Sequence, residues 1–366
     1  MGQSCKKICG SLQENDKFLK ENTFHLPPVK LDYLLSITDE TGIVQHSKFS
    51  TPNRGQGYAT DDNARALIVC TKHNRLYNTS EPAKLADIYL SFLYHMQMND
   101  GRLHNFLGYD RRFLDDVGSD DSLGRTLWAC GYVINSNLDD EKKLISKEIF
   151  DKALPHAIKT TSPRAKAFAV LGLSQYQRAY PKDHELSRNI KKLIEQLLKR
   201  FRIKSSIEWP WFEAYLTYCN GRIPQALFEA YEHVKDKEYL QVANDSFNFI
   251  LQVQMNNGIF VPIGNNGWYK KGSPRAMYDQ QSVEASCMTE TALEAFRVNR
   301  NHNFTTTAHT IFAWFLGKNT QGLWVYKPTT GSCYDGITPD GLNLNQGAEA
   351  TITYLLARLE LETIED

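Results

Sequence analysis

The sequence predicts an all-α protein, an (α/α)6 toroid (a six-hairpin barrel) with a small β-hairpin excursion. The first observation is a repeat, since a short polar block rich in Asp, Asn, Arg, Gly and Gln recurs along the chain and opens an apolar helix each time. The second is that the segments between these apolar helices are amphipathic, with apolar residues spaced so that they fall on one face of a helix. The six blocks are residues 57–65, 119–125, 162–166, 220–225, 278–284 and 343–349.

Each unit has room for two helices of about 15 residues and two loops, at 1.5 Å per residue. The helices that open at the blocks are apolar on more than one side, as in 64–70 and 165–173. The second helices carry one apolar stripe, as in 83–93. This asymmetry predicts a buried inner ring and an outer ring with a wet face. An open solenoid has the same local pattern, but its turns do not require polar blocks so dense and so varied.

Residues 1–24 are polar and show no core pattern, so we expect an N-terminal tail followed by a single barrel domain over 25–366. The β excursion is expected at 258–269, where Ile259–Val261 and Trp268–Tyr269 flank the glycine-rich turn 264–267.

Composition narrows the functional class. Forty-two basic and 42 acidic residues balance, so nothing recruits the phosphate backbone of a nucleic acid. The seven cysteines are odd in number and scattered, which predicts reduced thiols rather than a disulfide framework or a zinc site. No apolar run reaches the roughly 18 residues of a membrane span, and no secretory signal opens the chain. We therefore expect a cytoplasmic protein without metal or cofactor, although a secreted form without its leader would look the same. The oligomeric state is not predicted.

If the toroid closes, the inner helices all begin at one end, and their polar blocks converge on one funnel. Asp61–Asp62 and Asp120–Asp121 are the clearest carboxylate pairs in these blocks. One member of each pair is expected to cap its helix, which stabilises by about 1 kcal/mol. Capping does not require two adjacent carboxylates, nor does it explain Arg65 and Arg125 one turn further on.

The stretch 208–213 is the most distinctive, because two tryptophans flank a proline between two glutamates. Trp209 and Trp211 are expected either in the core or, together with Tyr58, as platforms for sugar rings, and Tyr218 adds a polar-tipped aromatic ring. Glu213 beside apolar rings is expected to have a raised pKa, which suits a general acid.

Acids inside apolar helices also need a partner or a function, and Glu284 and Glu349 are two such acids. Pairing with the arginines of the other blocks (Arg65, Arg125, Arg164 or Arg222) is the structural interpretation. Asp279 is a further candidate cap. His46 is a candidate acid/base or a ligand for hydroxyl groups, although a lone histidine is more often structural.

At these blocks the sequence resembles a bacterial (α/α)6 family that occurs alone or attached to group-1 glycosyltransferases. The shared motifs cover nearly everything from about residue 31 onwards and stand at 43–49, 57–67, 211–213, 216–218, 221–227, 333–336 and 343–349. The resemblance implies a six-hairpin fold and a glycan-processing function, often directed at mannosides. No transferase domain precedes the barrel in this sequence, so transferase activity is not implied.

These observations lead to a hypothesis of a glycoside hydrolase, inverting and built on a carboxylate pair. Glu213 is predicted as the acid, with Asp61, Asp62 or Asp121 as the base. The residues predicted to bind the sugar are His46, Tyr58, Arg65, Asp120, Arg125, Arg164, Trp209, Trp211, Tyr218, Arg222, Asp279, Gln280, Glu284, Asn345, Gln346 and Glu349. The alternatives are a non-catalytic glycan-binding module, a sugar epimerase or isomerase with histidine chemistry, and a scaffold whose polar blocks only cap and pair.

Overall fold

The computed structural model of the protein describes residues 26–365. The expected tail over 1–24, with Cys5 and Cys9, lies outside these residues. Six helices form an inner ring: α2 (Thr60–Tyr77), α4 (Asp120–Ile134), α6 (Pro163–Ala179), α8 (Arg222–Val234), α10 (Ser282–Asn299) and α12 (Ala348–Glu365). The outer helices are α1 (Asp32–Ser36), α3 (Ser80–Met96), α5 (Asp140–Lys159), α7 (His184–Lys204), α9 (Lys237–Gln254) and α11 (Asn303–Phe312).

The inner ring is closed. Each inner helix packs against the next one along the chain, and α12 returns to pack against α2. The outer helices pack on their hairpin partners, while the short α1 packs against α12. The predicted toroid is therefore confirmed, and the open solenoid is not what forms.

Burial separates the two rings as the apolar patterns predict. Every residue of α6 from 163 to 177 is buried. On α7, by contrast, the buried residues form one stripe: Leu186, Ile190, Leu193, Ile194, Leu197 and Leu198. The inner helices are thus buried on all sides, between the barrel interior and the outer ring, whereas the outer helices keep a solvent-exposed face.

The inner helices α4 and α6 approach most closely, and two glycines permit it. A Cβ atom on Gly131 would lie 2.2 Å from the carbonyl oxygen of Gly172, and one on Gly172 would lie 2.3 Å from that of Leu127. No side chain fits at either position, so this contact is backbone against backbone.

All six polar blocks open an inner helix, as predicted, but the aspartates do not cap them. Ser119 caps α4 by accepting from the amide of Ser122, and Ser162 caps α6 in the same way. Helix α2 follows Ala59 without a side-chain cap, and α10 follows Gln281, which lies two residues after Asp279, also without one. The capping expectation for the two aspartate pairs and for Asp279 is therefore wrong. Because these aspartates do not cap the helices, their carboxylates are available for other contacts.

The strands are short and lie in the loops. They are β1 (Ser47–Lys48), β2 (Thr51–Pro52), β3 (Tyr58–Ala59), β4 (Phe106–Leu107), β5 (Tyr215–Leu216), β6 (Met255–Asn256), β7 (Ile259–Phe260), β8 (Tyr269–Lys270), β9 (Gln280–Gln281), β10 (Tyr326–Lys327), β11 (Ser332–Cys333), β12 (Gly336–Thr338) and β13 (Gly341–Asn343). The strand β12 joins β13 to β9, so it links the loop before α12 to the start of α10.

The predicted hairpin over 258–269 pairs differently from the expectation. β7 pairs with β6 across a turn at 257–258, whereas β8 pairs with β5. Asn257 and Gly258 both have positive φ, which explains why this tighter turn closes the hairpin.

Five cysteines of the described part of the chain are buried and free: Cys70, Cys130, Cys219, Cys287 and Cys333. Among the described residues, no helix is both long enough and apolar enough to cross a membrane.

Candidate active site

A polar cavity of about 420 Å³ opens where the inner helices α2, α10 and α12 begin. Its walls come from α2, from the loop that leads into α10 and from the segment that links β11 to α12. The lining residues are Gln45, His46, Asp61, Asp62, Arg65, Asn265, Asp279, Gln280, Gln281, Ser282, Asp335, Gly336, Ile337, Thr338, Asn343, Gly347, Glu349 and Ala350. The expected convergence of polar blocks therefore occurs for the first, fifth and sixth blocks.

One arginine gathers three carboxylates at the base of this cavity. The Nη2 atom of Arg65 lies 2.7 Å from Oδ1 of Asp62 and 3.2 Å from Oδ2 of Asp61. Its Nη1 atom lies 2.8 Å from Oε2 of Glu349. Asp61 and Asp62 belong to the first turn of α2 and Glu349 to that of α12, so the closure of the ring brings the first and last blocks together.

A second arginine reaches the same cluster from the neighbouring helix. Nη1 of Arg125, on α4, lies 2.5 Å from Oδ2 of Asp61. On its other side, Nη2 of Arg125 lies 3.7 Å from Sγ of Cys219. Asp61 thus contacts two guanidinium groups, whereas Asp62 and Glu349 contact one.

The pKa values of the two adjacent aspartates are shifted in opposite directions. Burial on its own would raise the pKa of Asp61, but the charges of Arg65 and Arg125 outweigh it, and the pKa is lowered. Burial and the charge of Asp61 together hold the pKa of Asp62 well above its usual range, against the opposing effect of Arg65. Asp61 is accordingly the more acidic member of the pair, and Asp62 is the member that binds a proton more readily.

Oxygen atoms of Asp61, Asp62 and Glu349 lie within 4.8 Å of one another, a spacing that a cation could bridge. Arg65 already bonds all three carboxylates, so the protein itself compensates their charge. This arrangement carries no case for a metal centre.

The rest of the cavity wall offers hydrogen-bonding groups of other kinds. His46 and Asp335 lie on it, and the charge of His46 acts on the Asp335 carboxyl group. Oδ1 of Asp335 accepts a 2.6 Å hydrogen bond from the amide of Gly347. Gln280 is held from behind, because its Oε1 atom accepts from the indole of Trp314 at 2.9 Å. Such mixed donors and acceptors suit the hydroxyl groups of a sugar.

Glu213 lies elsewhere. It does not line the cavity and is buried beside the third block, where its Oε2 atom lies 2.7 Å from Nη1 of Arg164 and its Oε1 atom 3.6 Å from Nη2 of Arg200. Asp121 also stands apart from the cavity, since its carboxylate accepts from the hydroxyl of Tyr218 at 2.8 Å and from that of Ser162 at 3.3 Å. Asp120 is exposed and accepts from Thr160.

The predicted aromatic platforms are buried. Trp209 donates to the carbonyl of Glu213 at 2.7 Å and packs edge-on against Phe249 and Tyr269. Trp211 is fully buried in the core, and the hydroxyl of the buried Tyr58 donates to Asp39 at 2.7 Å. None of the three presents a free ring face, which differs from the stacking role expected of them.

Four other predicted residues do not line the cavity and instead make hydrogen bonds or ion pairs within the protein: Arg222, Glu284, Asn345 and Gln346. Arg222 pairs with Glu290 at 2.5 Å, whereas Glu284 accepts from Asn220 at 2.9 Å and Gln254 at 3.0 Å instead of pairing with an arginine. Asn345 accepts from the amide of Phe49 at 3.0 Å, and Gln346 from the hydroxyl of Ser332 at 2.6 Å. These last two contacts hold the loops that carry His46 and Asp335.

Asp335 is the cavity carboxyl group that the sequence argument did not select. It stands within the 333–336 motif of the family resemblance, but it lies outside any helix start, so the helical repeat does not point to it. Gln45 and Asn265 also reach the cavity from loops outside the helical repeat, whereas Asn343 opens the sixth polar block but was not selected.

No protein-family model and no curated protein matches this chain. Solved structures do match. A cellobiose 2-epimerase from Bacillus thermoamylovorans has a TM-score of 0.72 at 12% identity, over 97% of this chain and 99% of that one. A D-mannose isomerase has a TM-score of 0.69 at 13% identity, over 90% and 94% of the two chains. A GH76 α-mannanase from Bacteroides thetaiotaomicron has a TM-score of 0.64 at 12% identity, over 92% and 98%. At this identity the similarity establishes a shared fold.

Proposed function

We propose that the protein is a glycoside hydrolase, with α-mannosides as the first substrates to test. The observation that supports this most is the charge pattern of the cavity. An ionised Asp61, held by two arginines, lies at the base of an open polar hollow in which further carboxyl groups outnumber the cations. Hydrolysis of a glycosidic bond needs such a carboxylate to activate water or to attack the anomeric carbon.

Each part of the cavity then has a role. Arg65 and Arg125 keep Asp61 ionised and fix its orientation. Gln281 and Asn343 offer amides to the sugar hydroxyl groups, whereas the buried amide of Gln280 is bonded to Trp314, Met277 and Thr320. The mannoside preference rests on the family resemblance, and a GH76 α-mannanase is among the proteins with this fold.

A sugar epimerase or isomerase is the second candidate, because His46 lies on the cavity wall close to Asp335. A histidine oriented by a carboxylate is a suitable base for abstracting a proton next to a carbonyl. A cellobiose 2-epimerase and a D-mannose isomerase also have this fold. Of the cavity-lining residues, however, His46 is the single histidine, whereas the carboxyl groups are several.

One assay separates these reactions. The protein is incubated with α-1,6-mannobiose, cellobiose and mannose, and proton NMR follows the anomeric signals. New reducing ends indicate hydrolysis, a 2-epimer or a ketose indicates epimerase or isomerase activity, and saturation-transfer binding without product indicates a glycan-binding module.

We expect Asp61→Asn to lower kcat on mannobiose by about 10²- to 10⁴-fold, the usual contribution of a positioned acid or base. The matched control is Asp140→Asn, on the exposed surface of α5, and it should keep full activity. Undiminished turnover by the Asp61 variant would remove this residue from the reaction and end the proposal.

A further inference from the structure

The proposed hydrolysis needs a second group, because the oxygen that leaves must receive a proton. An inverting enzyme places its two carboxyl groups about 6.5–9.5 Å apart to admit water. Asp61, Asp62 and Glu349 have oxygens within 4.8 Å of one another, so no two of them frame such a gap. A donor for this reaction must come from another segment of the cavity wall.

Glu213, the donor that the sequence suggested, does not line the cavity and contacts two arginines. Asp62 lines it, but only 4% of its side chain is exposed and one oxygen is bonded to Arg65. Two carboxyl groups remain on the wall, Asp279 and Asp335.

Asp335 is built into its position. Its own amide donates to the carbonyl of Asn345 at 2.9 Å, and its Oδ1 atom accepts from the amide of Gly347 at 2.6 Å. Gly347 permits this approach because it has no side chain, and a Cβ atom there would lie 3.1 Å from Oδ1. One carboxyl oxygen is therefore fixed against the start of α12, and the other is left for the cavity.

The surroundings of Asp335 favour its protonated form. Burial raises its pKa, and the charge of Glu349 acts in the same direction, while the Gly347 amide and His46 oppose them. Tyr33 and Cys333 are the other titratable groups that face it. No lysine or arginine within residues 26–365 forms a salt bridge with Asp335, in contrast to Asp61 and Glu213.

We propose, on the basis of the proposed hydrolase function, that Asp335 is the general acid of an inverting reaction in which Asp61 is the base. Asp335 gives its proton to the glycosidic oxygen as the bond from that oxygen to the anomeric carbon breaks. A water molecule supplies the hydroxyl group that the anomeric carbon gains, and Asp61 accepts the other proton of that water. Solvent then returns a proton from Asp61 to Asp335.

The test compares two substrates. 2,4-Dinitrophenyl α-mannoside has a leaving group that departs without a proton, whereas α-1,6-mannobiose has one that needs it. Asp335→Asn keeps the shape of the side chain and the acceptor for the Gly347 amide. We expect its kcat to fall about 10²- to 10⁴-fold on mannobiose, but less than about tenfold on the dinitrophenyl substrate. The alkaline limb of the pH profile should vanish, and the wild-type product should form with inverted anomeric configuration.

The matched control is Asp279→Asn, the other unpaired carboxyl group of the wall. It should change activity on the two substrates by the same factor and keep the alkaline limb. A second readout needs no substrate, since in an infrared pH titration the protonated carboxyl band that Asp335→Asn lacks should persist in wild type to a higher pH than an ordinary aspartate allows.

Three results would overturn the assignment while leaving a hydrolase in place. They are an equal loss on both substrates for Asp335→Asn, a retained anomeric configuration, or an infrared titration in which the Asp335 band disappears in the pH range of an ordinary aspartate. A wild-type protein that releases no sugar from either substrate, with Asp61→Asn indistinguishable from it, would instead refute the proposed function itself.

Discussion

The two ends of the barrel contain the same kinds of charged residue but balance them differently. At the open end, Arg65 and Arg125 face Asp61, Asp62 and Glu349, and the cavity adds Asp279 and Asp335. Further along the inner helices, four acids are matched by four cations. Lys72, Arg178 and Arg297, together with Arg222 from the start of α8, pair with Glu229, Glu290, Glu294 and Glu360.

This difference distinguishes a candidate active site from a charge network that only stabilises the barrel. A balanced buried network satisfies its own charges and leaves nothing for a ligand, and removing one partner is costly because the other charge is then buried alone. An acidic excess beside an open hollow leaves carboxyl groups free to exchange protons. Glu349 and Glu360 allow a direct comparison, since both lie on α12. Glu349 pairs with Arg65 at the cavity, whereas Glu360 pairs with Lys72 and Arg297.

The largest effect on stability is expected at the closed end. Glu360 is 9% exposed, lies 2.5 Å from Nζ of Lys72 and also pairs with Arg297. We expect Glu360→Gln to lower the free energy of unfolding by about 3–5 kcal/mol. The cations lower the pKa of Glu360 below 4.5 despite its burial, so its contribution is present above pH 4.5 and is lost as the pH falls further. Urea titrations of the wild type and of Glu360→Gln at pH 7 and pH 4 measure the two free energies of unfolding. Equal stability of the two proteins at pH 7 would show that this charge network does not stabilise the barrel.

A smaller effect, of opposite pH dependence, is expected at Glu294. Burial and the charge of Glu229 raise its pKa from 4.5 to about 7. The folded state therefore binds a proton that the unfolded state releases between these values, and stability falls as the pH rises from 4.5 to 7. The shift corresponds to about 3 kcal/mol. Glu294→Gln should flatten this slope in thermal melts taken across that range, and an unchanged slope would contradict the assignment.

The smallest effect on stability is expected at the open end. The side chain of Glu349 is 38% exposed and pairs with Arg65 alone, so Glu349→Gln should cost about 1 kcal/mol or less. Its effect should appear in the activity. Because the charge of Glu349 raises the pKa of Asp335, its removal should move the alkaline limb of the pH profile to lower pH. A large loss of stability with an unchanged pH profile would mean that the two ends do not differ as proposed.

The position of Asp61 illustrates how far the sequence reaches into the site. Asp61–Asp62 and Asp120–Asp121 share the same local pattern: both open an inner helix, and an arginine follows each about one turn later. In the folded protein, Arg65 turns back to its own pair, whereas Arg125 leaves its pair and binds Asp61. Asp121 accepts instead from Tyr218, 97 residues away. No local pattern distinguishes these two outcomes.

Asp335 shows the same limit for the loops. It reaches the cavity because β12 pairs with β9 and because Gly347 admits its carboxyl group against α12. Both contacts join segments that are distant in the chain, and neither has a periodic signature. Trp209 and Trp211 are buried and do not serve as platforms at the cavity, because large aromatic rings pack in a core as readily as they line a binding site.

The order of residues along the chain was sufficient for the six-fold helical repeat, the division into an inner and an outer ring, and the end of the barrel where polar groups gather. These features follow from periodicities of three to seven residues, which local physics imposes. Which carboxyl group is ionised, which is protonated and which is merely paired depended on the closed ring. The reason is that the pKa of a buried acid is set by its neighbours in space, and here those neighbours come from opposite ends of the chain.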